Sequence, residues 1–392
     1  MKVRPFTKAD KDSIVRMVKC CFNMSQKDSE QYIQGALNFC RGFVAEDRGE
    51  VSSAMFYIPF HQNIHGKKYK MAGVGGVVTM PEARNKGFVR EQFKVMQKDM
   101  LEQGYVTSCL QPFKLKYYRN FGWANAAKRL QCRINVRDIE PAENEYEFIR
   151  IDKPNSKHFD AIEKTFASLY NGSTYRDKNF WKEEIFFRWE GVKELFHYLI
   201  KYKGKDVAYV IYRYKNAKEE FGEDLHVRDY GFVNYEGIRG LLALFKTFRD
   251  QIKDVVINMP EDFDLCHFVP SNPHFVRWQS FMMFKVVNIK QAMLQYCIPE
   301  DLSFDFELQI YDPIAEEKDI TVAFHIYDGN IKEIDRSDHV LRCSIDSFSR
   351  MFIGRNSIRE LITYDEVEIS EDIIENINRL FPKDIVFIKD MF

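Results

Sequence analysis

The stretch from Met71 to Arg90 leaves this chain few ways to fold. Met71-Ala-Gly-Val-Gly-Gly-Val-Val-Thr-Met80 is apolar and rich in glycine, which reads as a strand, and Pro81 closes it. Arg84-Asn-Lys-Gly87 follows as a basic, glycine-bearing turn. From Gly87 onward the apolar residues Val89, Phe93, Met96 and Met100 recur at helical spacing, and Gly104 ends the pattern. Strand, turn and helix N-terminus in that order form a cradle for a diphosphate. The first N–H groups of a helix lack intrahelical partners and lie at the positive end of its dipole. Gly87 permits close approach of the backbone, while Arg84 and Lys86 add charge-assisted contacts. Taken singly, the Lys86 and Arg90 side chains fit a solvated helix face equally well.

Other predicted elements surround this unit. Val3 to Phe6 read as a strand, Thr7 as a helix N-cap, and Ile14, Met17, Val18, Cys21 and Phe22 as one helical face. Phe43 to Ala45 and Ser52 to His61 read as strands, with Ile64-His-Gly-Lys-Lys68 as the turn into a return strand over Lys70 to Met80. Tyr105 to Leu110 and Trp123 to Val136 read as extended. Ile139-Glu-Pro-Ala-Glu-Asn-Glu145 is acidic and polar, which marks a junction. Beyond it come a predicted helix over Phe159 to Tyr170, a hairpin around Lys203-Gly-Lys205, a strand over Leu225 to Val233, a helix over Tyr235 to Arg249 and a strand over Val255 to Asn258. That order echoes the first segment, but its chemistry is missing. Asn234-Tyr-Glu-Gly237 stands at the equivalent turn, with an acid where a phosphate needs a donor, so this copy is expected to bind no nucleotide. A third segment begins near Cys297-Ile-Pro-Glu300. Strands are predicted there at Phe304 to Tyr311, Ile320 to Tyr327 and Ile331 to Ile334, and helices at Ile345 to Phe352, Ser357 to Thr363 and Glu371 to Phe381.

At 392 residues the chain exceeds one ordinary core, and these segments divide it at 1–140, 141–290 and 291–392. A net charge of -1 supplies no basic field for nucleic acid or an anionic membrane surface. Eight cysteines without a CxxC pair fit reduced thiols in a cytoplasmic protein. No run of 18 apolar residues occurs, and the Met1-Lys-Val-Arg-Pro-Phe-Thr start has no apolar signal core. His61 and His65 fall on a hairpin, and His267 and His274 flank a proline-bearing loop, so no metal site is expected. Cys109 reads as a buried strand cysteine.

Leu110-Gln-Pro-Phe-Lys-Leu-Lys-Tyr-Tyr-Arg-Asn-Phe-Gly-Trp123 places a phenol near whatever the cradle holds. Together with Val78-Thr-Met-Pro81 and Arg84-Asn-Lys-Gly87, this stretch resembles the GNAT acyltransferase superfamily. Within it the chain looks like the Eis (enhanced intracellular survival) family. That branch combines an apolar strand ending in proline, an Arg-x-Lys/Arg-Gly turn, and a later Pro-Phe-x-x-x-Tyr-Tyr-Arg-x-Phe-Gly-Tyr/Trp. Val89 stands where the superfamily usually has Gly or Ala, a departure common in this branch. The resemblance spans the whole chain and implies an α/β (α+β) fold: two tandem GNAT-type domains, the second degenerate, and a C-terminal sterol-carrier-like α+β domain. Phe281 to Leu294 is similar to the connector preceding the last domain.

The resemblance also implies a site. Acetyl-CoA would be held at its thioester and pantetheine arm by backbone groups of Val77, Val78 and Thr79. Its phosphates would be held by Arg84, Asn85, Lys86, Gly87, Phe88 and Val89. Tyr118 is the implied general acid, with the adjacent Tyr117 as the alternative, and the carboxylate of Phe392 is the implied general base. The implied acceptor is a primary amine, on a small molecule or a lysine side chain, and the implied assembly is a trimer or hexamer without nucleic acid or membrane partners. Aminoglycoside-acetylating members carry an acid directly before the terminal aromatic. Here Met391 occupies that place, which argues against such a substrate, while Asp28 and Glu30 remain candidate acids for the pocket. The last domain is expected to deliver the C-terminus rather than carry lipid. Three other functions compete: a non-catalytic CoA-binding interaction protein, a tandem-GNAT transferase using aminoacyl-tRNA, and a lipid carrier. The charge of -1 and the Arg84 to Gly87 turn speak against the second.

Overall fold

The computed structural model describes residues 1–141, 145–186, 194–216, 223–269, 275–364 and 366–392. His274 and residues 142–144 of the predicted junction lie outside the described residues. The chain forms two compact units, one of Met1–Ala127 with Phe281–Phe392 and one of Lys128–Ser280.

The first unit opens with β1 (Lys2–Pro5). A single 3-10 turn follows, in which Thr7 and Asp10 cap each other reciprocally, and it leads into α1 (Lys11–Phe22). Ile14, Met17 and Val18 face the core as their spacing predicts, whereas Phe22 is exposed. A second helix, α2 (Gln26–Phe39), was not apparent in the sequence. Ser25 caps it through the Asp28 amide, but few of its residues are apolar, so its buried stripe of Ile33, Gly35 and Ala36 is faint. Next come β2 (Arg41–Asp47), β3 (Glu50–Ile64) and β4 (Lys67–Thr79), all antiparallel. His65 and Gly66, both at positive φ, form the two-residue turn between β3 and β4. Helix α3 (Phe88–Glu102) crosses over to β5 (Thr107–Leu110), which pairs parallel to β4. The short α4 (Leu115–Arg119) then precedes β6 (Ala124–Asn135). The stretch read as a connector supplies a strand and a short helix: Met283 to Val286 pair with β5, and Ile289–Leu294 is helical.

Phe43, Met55, Tyr57, Phe93, Met96, Met100 and Trp123 fill the core between sheet and α3. The C-terminal part of this unit is a five-stranded sheet in the order Asn330–Ile334, Asp319–Tyr327, Phe304–Tyr311, Val340–Ser344, Val367–Ile369. Helices Ile345–Phe352, Ile358–Thr363 and Ile374–Leu380 complete this part.

In the second unit the hairpin Phe196–Tyr202 and Lys205–Asn216 leads to Glu223–Phe232. Helix Tyr235–Lys246 then crosses to the parallel strand Ile252–Met259. This βαβ order matches that of β4, α3 and β5. The interior of the second unit holds a buried network in which Arg176 pairs with Asp229 and the Tyr209 hydroxyl donates toward Glu163 and Asp229. Among the described residues no helix is long and apolar enough to cross a membrane.

Candidate active site

The glycines of β4 bend and open the strand. Ala54 pairs with Val78 and Phe56 with Gly75, so β4 carries one residue more than β3 across this interval, a bulge at Gly76 and Val77. Gly76 has φ 60, and a Cβ on it would fall 2.2 Å from the Phe56 ring. The β4–β5 ladder ends at Val74 opposite Leu110, so among the described residues β4 has no strand beside it on that edge from Gly75 to Thr79. Backbone donors and acceptors are therefore left for another extended group. Gln92 fixes α3 against this edge. Its Oε1 lies 2.6 Å from Ser53 Oγ, which is itself 2.9 Å from the Val78 carbonyl oxygen and 2.8 Å from Thr79 Oγ1.

A 3-10 turn, Pro81–Ala83, connects β4 to the helix. Ala83 and Phe88 pack with Ala45, which anchors both sides of the turn. Between them Asn85 has φ 63 and Gly87 φ 84. Gly87 occupies the N-cap position of α3, and no side chain caps the helix. A Cβ at Gly87 would meet no atom within 4 Å, so glycine is required there by backbone conformation, not by crowding. The exposed Arg84 makes a 3.4 Å contact from Nε to the Thr79 carbonyl oxygen.

The strand edge, turn and helix start share one cleft of about 630 Å³. Val77, Val78, Thr79, Arg84, Asn85, Gly87, Phe88 and Val89 line it. Arg90 also lines it, with its guanidinium 5.1 Å from the centre of the Phe121 ring. Cys21 and Phe22 from α1 and Phe113, Tyr117 and Phe121 from the segment around α4 complete the walls. Phe113 is 74 % exposed. Tyr118 is 4 % exposed and belongs to the aromatic core behind the wall, where its ring lies 6.3 Å from that of Phe93 and 5.2 Å from that of Tyr117. Burial raises the pKa of both phenols, and the Arg90 charge pulls that of Tyr117 partly back.

The last residue of the chain lies against β4. A Cβ on Gly73 would fall 3.0 Å from Phe392 Cδ2, and one on Gly75 would fall 3.1 Å from the Phe392 carbonyl carbon. Two glycines on one face of the strand thus make room for the Phe392 ring and backbone, and the ring also packs 5.3 Å from that of Phe60. Val386, Phe387 and Ile388 are buried, which docks the tail.

Three family models match the chain. An acetyltransferase (GNAT) domain matches residues 2–126, a second acetyltransferase (GNAT) domain matches residues 172–287, and a sterol carrier protein domain matches residues 289–389. The chain belongs to the GNAT acyltransferases. Its architecture is Eis-like, with tandem GNAT domains and a sterol carrier-type domain at the end. A search of curated proteins gives no match. Among solved structures, a GCN5-related N-acetyltransferase from Anabaena variabilis superposes with TM-score 0.90 at 20% identity over 100% of both chains. A conserved protein of unknown function from Enterococcus faecalis gives 0.90 at 18% over 100% of this chain and 99% of that one. Eis1 from Mycobacterium abscessus gives 0.81 at 16% over 100% of both. At these identities the likeness is one of fold.

Set against the residues singled out from sequence, this GNAT cleft gathers eight of the cofactor candidates. Lys86 is exposed and does not line the cleft, nor do Tyr118 and Phe392. Asp28 and Glu30 are also absent from its walls; Asp28 is buried at the start of α2, and Glu30 accepts from Gln26 Nε2 at 2.7 Å. Cys109 is buried beside Gln62, and burial pushes its thiol up to about 12, as suits a strand cysteine. Sequence reasoning missed Cys21, Phe22, Ala83, Phe113 and Phe121 as walls. Their one signal is that Phe22 and Phe113 are large apolar residues left exposed, which a one-dimensional pattern does not reveal.

Proposed function

We propose that this GNAT protein transfers an acetyl group from acetyl-CoA to a primary amine, by direct attack within a ternary complex. One observation carries the reading: a single cleft joins an uncapped helix N-terminus to an unpaired strand edge. Amides opening α3, with Arg84 and Arg90, suit the diphosphate. The β4 edge from Gly75 to Thr79 suits an arm that itself carries amides, in the manner of a strand added to a sheet. The amides at the bulge near Val77 are the proposed donors to the thioester carbonyl. Tyr118, kept protonated by burial, is the proposed proton donor to the departing sulfur, with Tyr117 in the wall as the alternative. The α-carboxylate that Phe392 carries beside Gly75 is the proposed acceptor of the amine proton. The amine belongs to a small molecule or a lysine side chain.

Calorimetry with CoA, and thiol release from acetyl-CoA with polyamines, aminoglycosides and a lysine peptide, test this reading together. Tyr118→Phe is expected to lower kcat by about 100-fold while leaving CoA affinity nearly unchanged. Adding one alanine after Phe392 should impair turnover strongly. The sign of the pH effect follows from the raised phenols. Each keeps its proton above the ordinary tyrosine value of about 10, so kcat should not fall through phenol ionisation between about pH 8 and 10. Absence of any heat with millimolar CoA would sink the reading.

A further inference from the structure

The segment bearing Tyr117 and Tyr118 cannot hold its own shape. Helix α4 has five residues, fewer than a helix needs to persist alone, and the turn that follows it passes through Gly122 at φ 90. The structure shows what holds it. Lys285 Nζ donates to the Phe121 carbonyl oxygen at 3.0 Å, to Gln97 Oε1 at 2.7 Å and to Asp312 Oδ1 at 2.9 Å. All three ammonium protons therefore have acceptors. Asp312 Oδ1 also accepts the Ile314 amide at 3.1 Å, and Oδ2 accepts Gln97 Nε2 at 2.8 Å. Lys285 is 0 % and Asp312 1 % exposed.

Two further contacts come from the sterol carrier-type domain. A Cβ on Gly122 would lie 2.6 Å from Ile345 Cγ2, so that glycine is closed against the Ile345–Phe352 helix. Outside, the Arg119 guanidinium lies 3.2 Å from Asp346 and 3.7 Å from Glu366. An apolar pair would stabilise the same space about as well as a buried ion pair, so a fully satisfied pair points to a demand for fixed geometry. We propose that the C-terminal domain, together with Lys285 of the strand that precedes it, positions the proton-donating segment for the reaction, with Lys285 and Asp312 as positioning residues. This rests on the proton-donor reading above.

The test is a mutant cycle on the full chain, using acetyl-CoA and the best amine from the thiol-release panel. Lys285→Met with Asp312→Asn removes both charges together, so neither is left buried alone. CoA affinity and KM for acetyl-CoA should stay within about twofold while kcat falls about tenfold or more. In the background of the effective phenol variant, Tyr118→Phe or Tyr117→Phe, the same pair should cost less than about twofold, because no donor remains to be positioned. Hydrogen exchange of residues 115–123 should rise in the pair variant. An equal loss of kcat in both backgrounds, or an unchanged kcat, overturns the proposal. If the pair variant does not fold, the half-exposed Arg119→Gln decides by the same cycle, with about a threefold effect expected. Should neither phenol variant lower kcat, the proton-donor reading falls and this inference with it. Should one do so while the cycle is additive, the positioning role alone falls.

Discussion

Two βαβ units in this chain open their helices in opposite ways. Before α3 stands Gly87, at positive φ, with open space around it and no side chain over the first amides. Before Tyr235–Lys246 stands Asn234, whose Oδ1 accepts the Gly237 amide at 3.1 Å. Gly237 is closed as well: a Cβ there would fall 2.4 Å from the Val207 carbonyl oxygen. Glu236, in the same first turn, accepts a hydrogen bond from the Tyr146 hydroxyl at 2.5 Å. One helix leaves its N-terminal donors uncapped at a cleft, and the other satisfies a donor within the chain. A few turn residues thus separate an open helix start, of the kind that suits an anion, from a capped one on the same backbone plan.

The largest effect should come from the cradle's own cation. Arg84→Ala is expected to weaken CoA by about 1.5–3 kcal/mol, the worth of charge-assisted hydrogen bonds, as read by calorimetry. Arg84 is exposed, so thermal stability should barely move. As a control, removing a cation near the start of the other helix, Arg239→Ala, should leave CoA affinity alone. Equal affinities for wild type and Arg84→Ala would remove the phosphate role from the α3 turn.

The two glycines give the next contrast. Gly237→Ala meets backbone and the Phe232 Cβ, and overpacking of that kind costs about 1–3 kcal/mol of stability with no loss of CoA binding. Gly87→Ala meets nothing, yet forces a left-handed backbone on alanine at about 1–2 kcal/mol. It should therefore shift the turn and weaken CoA more than it lowers the melting temperature. The reverse pattern would mean that crowding, rather than conformation, distinguishes the two turns.

Much of this contrast was readable in the sequence because its chemistry is contiguous. Strand, turn and helix occupy one run of residues, so periodicity and glycine placement carry the signal for β4 and α3. Asn234-Tyr-Glu-Gly237 likewise announced an acid, though not that Asn234 would cap its own helix. What stayed hidden depends on residues far apart in the chain. Gly73 and Gly75 read as strand glycines, and their purpose appears only when Phe392 lies against them. Lys285 and Asp312 meet across 27 residues, and Lys285 reaches the Phe121 carbonyl oxygen 164 residues away. No local spacing encodes such contacts. Helix α2 was lost for a different reason, since a thin apolar stripe gives no clear period even with a good N-cap at Ser25. The Val340–Ser344 and Val367–Ile369 strands are too short to show alternation.

The finest test asks whether the capped helix is a latent cradle. Asn234→Ala removes the acceptor from the Gly237 amide and should cost about 1 kcal/mol, the usual worth of an N-cap. Asn234→Gly should cost only a few tenths of a kcal/mol, since glycine leaves the cap open to water. Hydrogen exchange at the first turn of Tyr235–Lys246 reads both. If capping alone separated the two units, uncapping would create a second CoA site, visible as heat in an Arg84→Ala, Asn234→Ala double variant beyond that of Arg84→Ala alone. The expected result is no such heat. Glu236 still presents a carboxylate at the turn, and Gly237 remains packed against Val207, so a phosphate would meet a like charge and no room for backbone approach. Heat in excess of the Arg84→Ala single variant would show that the cap was the sole barrier, and that the acid and the packing have no part in closing that turn to a phosphate.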